Sequence, residues 1–274
     1  MERRRPPSSG VNRPLAQDGG RVRPGAVDLD DVVYGIHAVE EALAAREPLR
    51  RIHLGDDRKR DPALRGLLEA AQSRGIVVRY ENRAFFNQFP YRAHQSVVAF
   101  GVPFDYLTLE EAIALPRTGD ALFVVLDHIT DPHNAGAIVR SAECAGATAV
   151  VLPERRSAGI NGTVRKASAG ATAHVPIARV ANISNALRVF KKHNVWVAGA
   201  AMGEGSVSYV GADLRRDLAI VIGAEGDGLS PVARKECDFL IHVPMHGRLD
   251  SLNASVAAGI LLFETLRQRG PAAN

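Results

Sequence analysis

From residue 120 onward, short apolar runs alternate with amphipathic stretches, and this alternation constrains the fold more than any other feature of the sequence. The runs Leu122–Leu126, Ala149–Leu152, Val175–Ile177, Val195–Ala200, Leu218–Ile222 and Phe239–Val243 are too short for helices and read as strands buried on both faces. Between and after them, helical spacing of apolar residues predicts helices over Pro132–Ala145, Gly162–Ala169, Ile183–His193, Pro231–Cys237 and Leu252–Arg269. Strands that alternate with helices predict an α/β fold, with a mostly parallel sheet covered on both sides.

The 274 residues leave room for a second, smaller domain upstream. Val32–Tyr34 leads into a helical pattern at Ile36, Val39, Ala42 and Leu43. Strands then follow at Arg51–Leu54, Ile76–Tyr80 and Ser96–Val102, with helices over Asp61–Ser73 and Ala84–Phe89. These assignments predict an α/β domain over 31–103, a linker over 104–119 carrying a short helix at Leu109–Leu115, and a main domain over 120–270. Residues 1–30 form a basic tail; within residues 1–26, arginines at 3, 4, 5, 13, 21 and 23 against Glu2 and Asp18 match the whole net charge of +4. A tail rich in Pro, Gly and Ser cannot bury enough surface to fold alone; it serves either to meet phosphates or only to solubilise the chain.

Composition removes several classes. No apolar run reaches the length of about 18 residues that crosses a bilayer, and no apolar segment follows the arginines as in a secretion signal, so a cytoplasmic protein is expected. Aromatic residues make up only 5%, too few for a base-stacking platform of the OB or RRM kind. Cys144 and Cys237 lie far apart with no CxxC partner, and His242 and His246 are separated by Pro244, so no metal site is expected.

Open α/β sheets bind ligands beyond the carboxyl ends of their strands, so the loops there carry the chemistry. In the first, Asp131 can cap and Pro132 can open a helix that bears Asn134 near its start and Arg140 almost two turns on, where a long side chain leans back toward Asn134. The second, Gly223-Ala-Glu225-Gly226-Asp-Gly228, matches neither a dinucleotide fingerprint nor a P-loop, which argues against an NAD-dependent oxidoreductase. Its glycines permit unusual backbone angles, and Glu225 is its candidate polar anchor. The third runs from Pro244-Met245 to Ser251-Leu252-Asn253-Ala254-Ser255, with Ser251 the expected cap of the last helix.

Taken together, these three segments resemble the three motifs of the SpoU, or TrmH-like, branch of the SPOUT RNA 2′-O-methyltransferases, in order and in spacing. The resemblance covers about 120–268, and 31–103 looks like the substrate-binding domain carried by many ribosomal members. One departure is Ala254, where many members have a bulkier aliphatic residue; only packing should change. The resemblance implies a C-terminal sheet domain threaded into a trefoil knot, a homodimer, S-adenosylmethionine as cofactor, and an RNA ribose as substrate. It implies cofactor contacts at Ala201, Gly203, Gly223, Ile241, Met245 and Leu252. The implied catalytic set is Asn134, Arg140, Glu225, Ser251 and Asn253. An arginine rarely gives up its proton, so Arg140 is expected to clamp phosphate and stabilise the developing alkoxide.

Leu152–Gly159, Lys166–Gly170 and Val175-Pro176 resemble the members that modify a guanosine ribose in 23S rRNA, which is the expected substrate. A tRNA guanosine 2′-O-methyltransferase and an antibiotic-resistance rRNA methyltransferase share the chemistry and remain alternatives. A non-catalytic ribosome-assembly factor is a further alternative, against which the intact catalytic set argues.

Overall fold

The computed structural model describes residues 32–89, 94–248 and 251–270; the arginine-rich stretch lies outside them. The described residues between 32 and 101 build a four-stranded mixed sheet. Its elements are β1 (Val32–Tyr34), α1 (Ile36–Ala44), β2 (Leu49–Gly55), α2 (Arg65–Ser73), β3 (Val77–Glu81), α3 (Arg83–Phe86) and β4 (Val97–Gly101), with strand order β1-β4-β2-β3. Ile52 and Leu54 of β2 pack with Val39 and Leu43 of α1 and Leu67 of α2, all buried. On the other side of the sheet Val98 packs with Phe86 and Phe89. The helix expected over Asp61–Ser73 divides, because Asp61 caps a 3₁₀ turn at Pro62–Leu64 before the α-helix begins.

The chain then passes through α4 (Leu109–Ile113), closed by a capping box in which Thr108 and Glu111 satisfy each other's amides. It enters β5 (Leu122–Asp127), α5 (Pro132–Cys144), β6 (Ala149–Pro153), α6 (Gly162–Ala167), β7 (Ile177–Val180), α7 (Ile183–Lys192) and β8 (Trp196–Ala200). There follow β9 (Ser206–Ser208), β10 (Leu218–Gly223), α8 (Pro231–Glu236), β11 (Phe239–His242) and α9 (Ala254–Arg269). The seven strands pair in the order β7-β6-β5-β10-β8-β11-β9, every pair parallel. The strand expected at Val175–Ile177 lies two residues further on, since Pro176 has no N–H to give a ladder. The three-residue β9 carries too short a pattern to be read from sequence.

Both faces of the sheet are buried, as the apolar runs require. Leu122, Val124 and Leu126 of β5 share one core with α5, α6 and α9, while Phe123 and Val125 share the other with α7 and α8. Each large aliphatic side chain so buried contributes about 1.5–3 kcal/mol. The linker docks on the sheet edge, where the amide of Leu107 donates to Ile177 (2.9 Å) and its carbonyl accepts from Arg179 (3.0 Å). Among the described residues no helix is long and apolar enough to cross a membrane.

Candidate active site

Because β5, β10 and β11 are parallel, the loops that follow them emerge on the same side of the sheet. In the first loop the Asp131 carboxylate accepts from the amides of His133 (3.1 Å) and Asn134 (3.2 Å), capping α5, and Pro132 fills the position where no N–H is needed. Asn134 therefore sits in the first turn, 8% exposed. A Cβ at Gly136 would meet Ala167 Cβ at 2.5 Å and the Val164 carbonyl at 2.8 Å, so glycine there lets α6 lie against α5.

In the second loop the chain curls back over Gly223, where a Cβ would run into the Gly228 carbonyl and the Leu229 amide. Ala224 and Gly228 exchange backbone hydrogen bonds of 3.1 and 2.9 Å, and Gly226 and Gly228 take φ of +83° and +66°. The curl presents Glu225 at an exposed tip.

In the third loop Asn253, not Ser251, caps α9. Its Oδ1 accepts from the amides of Ser255 (2.9 Å) and Val256 (3.3 Å) and from the Ser255 hydroxyl (2.6 Å). Serine and asparagine cap about equally well, so position decides: the helix opens at Ala254. Three donors on Oδ1 fix which way the amide faces, and Nδ2 must point away from the helix. It donates to Asn134 Oδ1 (2.9 Å) and to Glu225 Oε1, which also accepts from the Ala254 amide (3.4 Å). One side chain thus joins all three loops, and Asn134, Glu225 and Asn253 form a single network.

The other two residues of the expected catalytic set stand outside it. Arg140 is exposed on α5, and its side chain makes no hydrogen bond to Asn134 or to any other described residue. Ser251 is exposed and lines a neighbouring cavity of about 320 Å³. Ala201, Gly223, Ile241, Met245 and Leu252, five of the six expected cofactor contacts, line that cavity, and so does Glu225. Gly203 does not: it turns the chain just beyond, at φ +121°, and a Cβ there would meet Arg234 Nη2 at 3.1 Å.

Two positioning residues escaped the sequence reading. Asp127, fully buried at the end of β5, accepts from the Ser230 amide (2.7 Å) and pairs with His128 Nδ1 (2.6 Å), so it anchors the start of α8 beside the first loop. An acid closing the run Leu-Phe-Val-Val-Leu was its signal. Arg234 of α8 donates from Nη1 (3.3 Å) and Nη2 (3.2 Å) to the Met202 carbonyl on the cavity wall. Burial, reinforced by Asp238 and Asp127, pushes the Cys237 thiol up to about 12, which keeps it protonated and inert. Among the described residues no group of three or more His, Cys, Asp or Glu could hold a metal ion.

Comparison with known proteins gives the same three loops a lineage. Residues 121–263 match the SpoU rRNA methylase family, and residues 32–107 match the RNA 2′-O ribose methyltransferase substrate-binding family. A Synechocystis protein described as an uncharacterized tRNA/rRNA methyltransferase is 43% identical over 88% of this chain, which spans 63% of that protein. The 23S rRNA (guanosine-2′-O-)-methyltransferase of Photorhabdus laumondii is 40% identical over 88% of this chain and 99% of its own length. The SpoU methyltransferase AviRb from Streptomyces viridochromogenes, solved with the cofactor AdoMet, superposes with a TM-score of 0.56 and 25% identity over 87% of this chain and 90% of AviRb. A parallel sheet carrying these loops, with a substrate-binding domain ahead of it, makes this chain a member of the SpoU rRNA methylase family.

Proposed function

We propose that the protein methylates the ribose 2′-hydroxyl of a guanosine in 23S rRNA, with S-adenosylmethionine as the methyl donor. The observation that carries this reading is the Asn253 amide, which holds Asn134 and Glu225 together at the edge of the cavity. The substrate rests on relatives named 23S rRNA (guanosine-2′-O-)-methyltransferases, at 38–40% identity over nearly their whole length. With rRNA as substrate, the protein works in the cytoplasm.

The cavity suits the cofactor. Ile241, Met245 and Leu252 give it apolar walls, and the curl over Gly223 brings backbone close enough to contact a ligand directly. When bound, S-adenosylmethionine supplies a methyl group activated by a sulfonium. The protein must then place the ribose oxygen in line and stabilise it as its proton leaves. Glu225 and Asn253, locked to each other, hold the ribose edge, and Ser251 stands beside them on the cavity wall. Arg140 clamps the neighbouring phosphate and steadies the developing negative charge; its guanidinium has no hydrogen-bond partner among the described residues, and a guanidinium is too weak an acid to serve as base. In single-turnover assays Arg140→Lys keeps the charge but loses the planar fork, so the rate should fall by about 10²-fold or more with unchanged cofactor affinity. Near-native turnover by this variant would remove the clamp.

The chain divides into a substrate-binding domain over 31–103, a linker over 104–119 and a catalytic domain over 120–270. The catalytic part is threaded as a trefoil knot; in support, the chain reaches the far edge at β9, returns to the sheet centre at β10, and goes out again to β11. The protein works as a homodimer. Supporting this, Val256 (49% exposed), Phe263 (49%) and Leu266 (36%) form one uncovered apolar face of α9. Phe263→Asp should turn a dimer into monomers by light scattering; a dimer that survives the substitution would place the interface elsewhere, and a monomeric unsubstituted protein would contradict the homodimer.

A further inference from the structure

Between the two sheets lies a second and larger cavity, of about 810 Å³, with Tyr34 of β1 on one side and His133, next to Asn134, on the other. Its walls carry charges of opposite sign from opposite domains. Lys166 of α6 pairs with Glu41 of α1 at 3.5 Å, with both side chains largely exposed. Arg165 stacks over Phe104 and donates to the Val102 carbonyl at 3.3 Å, which spends one of its five N–H groups. The Glu47 carboxylate fills the space that a Cβ at Gly162 would need, and it accepts no hydrogen bond from any described residue. Burial holds its pKa above the ordinary carboxylate value, against the opposing pull of Arg165 and Lys166.

A half-buried carboxylate without a hydrogen bond costs stability, and an exposed ion pair returns little. These acids are poor structural devices but good placeholders. A carboxylate and a phosphate present the same charge and acceptor geometry to lysine and arginine. Resting on the reading that the substrate is RNA, we propose that this cleft receives the RNA backbone. In the free protein Glu41 pairs with Lys166, and Glu47 lines the same cleft as Arg165 and Lys166, so the two acids supply the negative charge that two phosphates take over. The acids make binding weaker but more selective, because a loosely held RNA cannot displace both at once.

The test is equilibrium binding of an unmodified 23S rRNA transcript as a function of salt, with methyl transfer measured separately. Arg165→Ala with Lys166→Ala should weaken binding and reduce the salt slope by about 1.4, two phosphates at about 0.7 each for single-stranded RNA. Glu41→Gln with Glu47→Gln should tighten binding by about three- to tenfold. Glu69→Gln with Glu110→Gln, which removes the same charge outside the cleft, should give a smaller gain. In the Arg165→Ala, Lys166→Ala background the cleft-acid gain should fall to that of this control, because its cations are gone. Lys166→Ala alone, a change at an exposed side chain, supplies the same reading if the double variant loses S-adenosylmethionine binding. Equal gains from both acid pairs, or an unchanged salt slope without the cations, would overturn the proposal. Tight RNA binding without transfer by the unsubstituted protein would refute the enzymatic reading instead, leaving the cleft to be judged on its own slopes.

Discussion

Asn253 does two jobs with the two ends of one amide, and they can be separated. Asn253→Asp keeps an oxygen for the Ser255 and Val256 amides, so α9 remains capped and stability should change by less than about 1 kcal/mol. The same change removes the donor to Asn134 and sets a second carboxylate against Glu225. Thermal unfolding near that of the unsubstituted protein, with transfer down by about 10²-fold or more, is the expected pair of results; retained transfer would show that the bridge is dispensable. Every residue of this network was legible in the sequence, because Asn134, Glu225 and Asn253 sit in motifs of fixed spacing. The bridge was not. Spacing along a chain says nothing about which way an amide faces, and that was decided by where α9 begins, which Ser251 and Asn253 could each have set. Asp127 and Arg234 were missed for a related reason: their work is to hold backbone far away in sequence, the Ser230 amide and the Met202 carbonyl.

At the scale of elements, α9 is fixed by its buried Glu264. The carboxylate accepts from Arg267 Nε and Nη2, both at 2.8 Å, and from Gln268 Nε2 at 2.9 Å, which holds it down to about 2. Gln268 Nε2 also reaches the Ala212 carbonyl and its Oε1 accepts from the Leu214 amide, so the network ties the helix to the segment ahead of β10. A carboxylate whose pKa falls on folding adds stability above its unfolded value, and the gain is lost as pH drops through the folded one. The stability carried by Glu264 should therefore fade from about pH 4.5 down to about 2. Glu264→Gln should cost about 1–3 kcal/mol at pH 7 and flatten that part of the acid-unfolding curve; an identical curve would show the network to be idle. Strand and helix identities in this half were readable because buried runs and amphipathic stretches differ in period. The order β7-β6-β5-β10-β8-β11-β9 was not, since strands buried on both faces all look alike.

For the whole molecule, the division of labour follows from two cavities. The smaller, at the carboxyl ends of the central strands, has apolar walls and a polar edge formed by all three motif loops, and is the site proposed for the cofactor. The larger opens between the sheets and reaches α5 through His133, so RNA lying there passes the same helix that carries Asn134 and Arg140. Neither domain alone supplies both. The measurement that tests this account most directly is transfer of labelled methyl from S-adenosylmethionine to unmodified 23S rRNA, 16S rRNA and bulk tRNA offered separately, with the product mapped as nuclease-resistant 2′-O-methyl dinucleotides. The account predicts label at a guanosine ribose of 23S rRNA; label confined to tRNA or 16S rRNA, or none in any RNA while the cofactor binds, would contradict it.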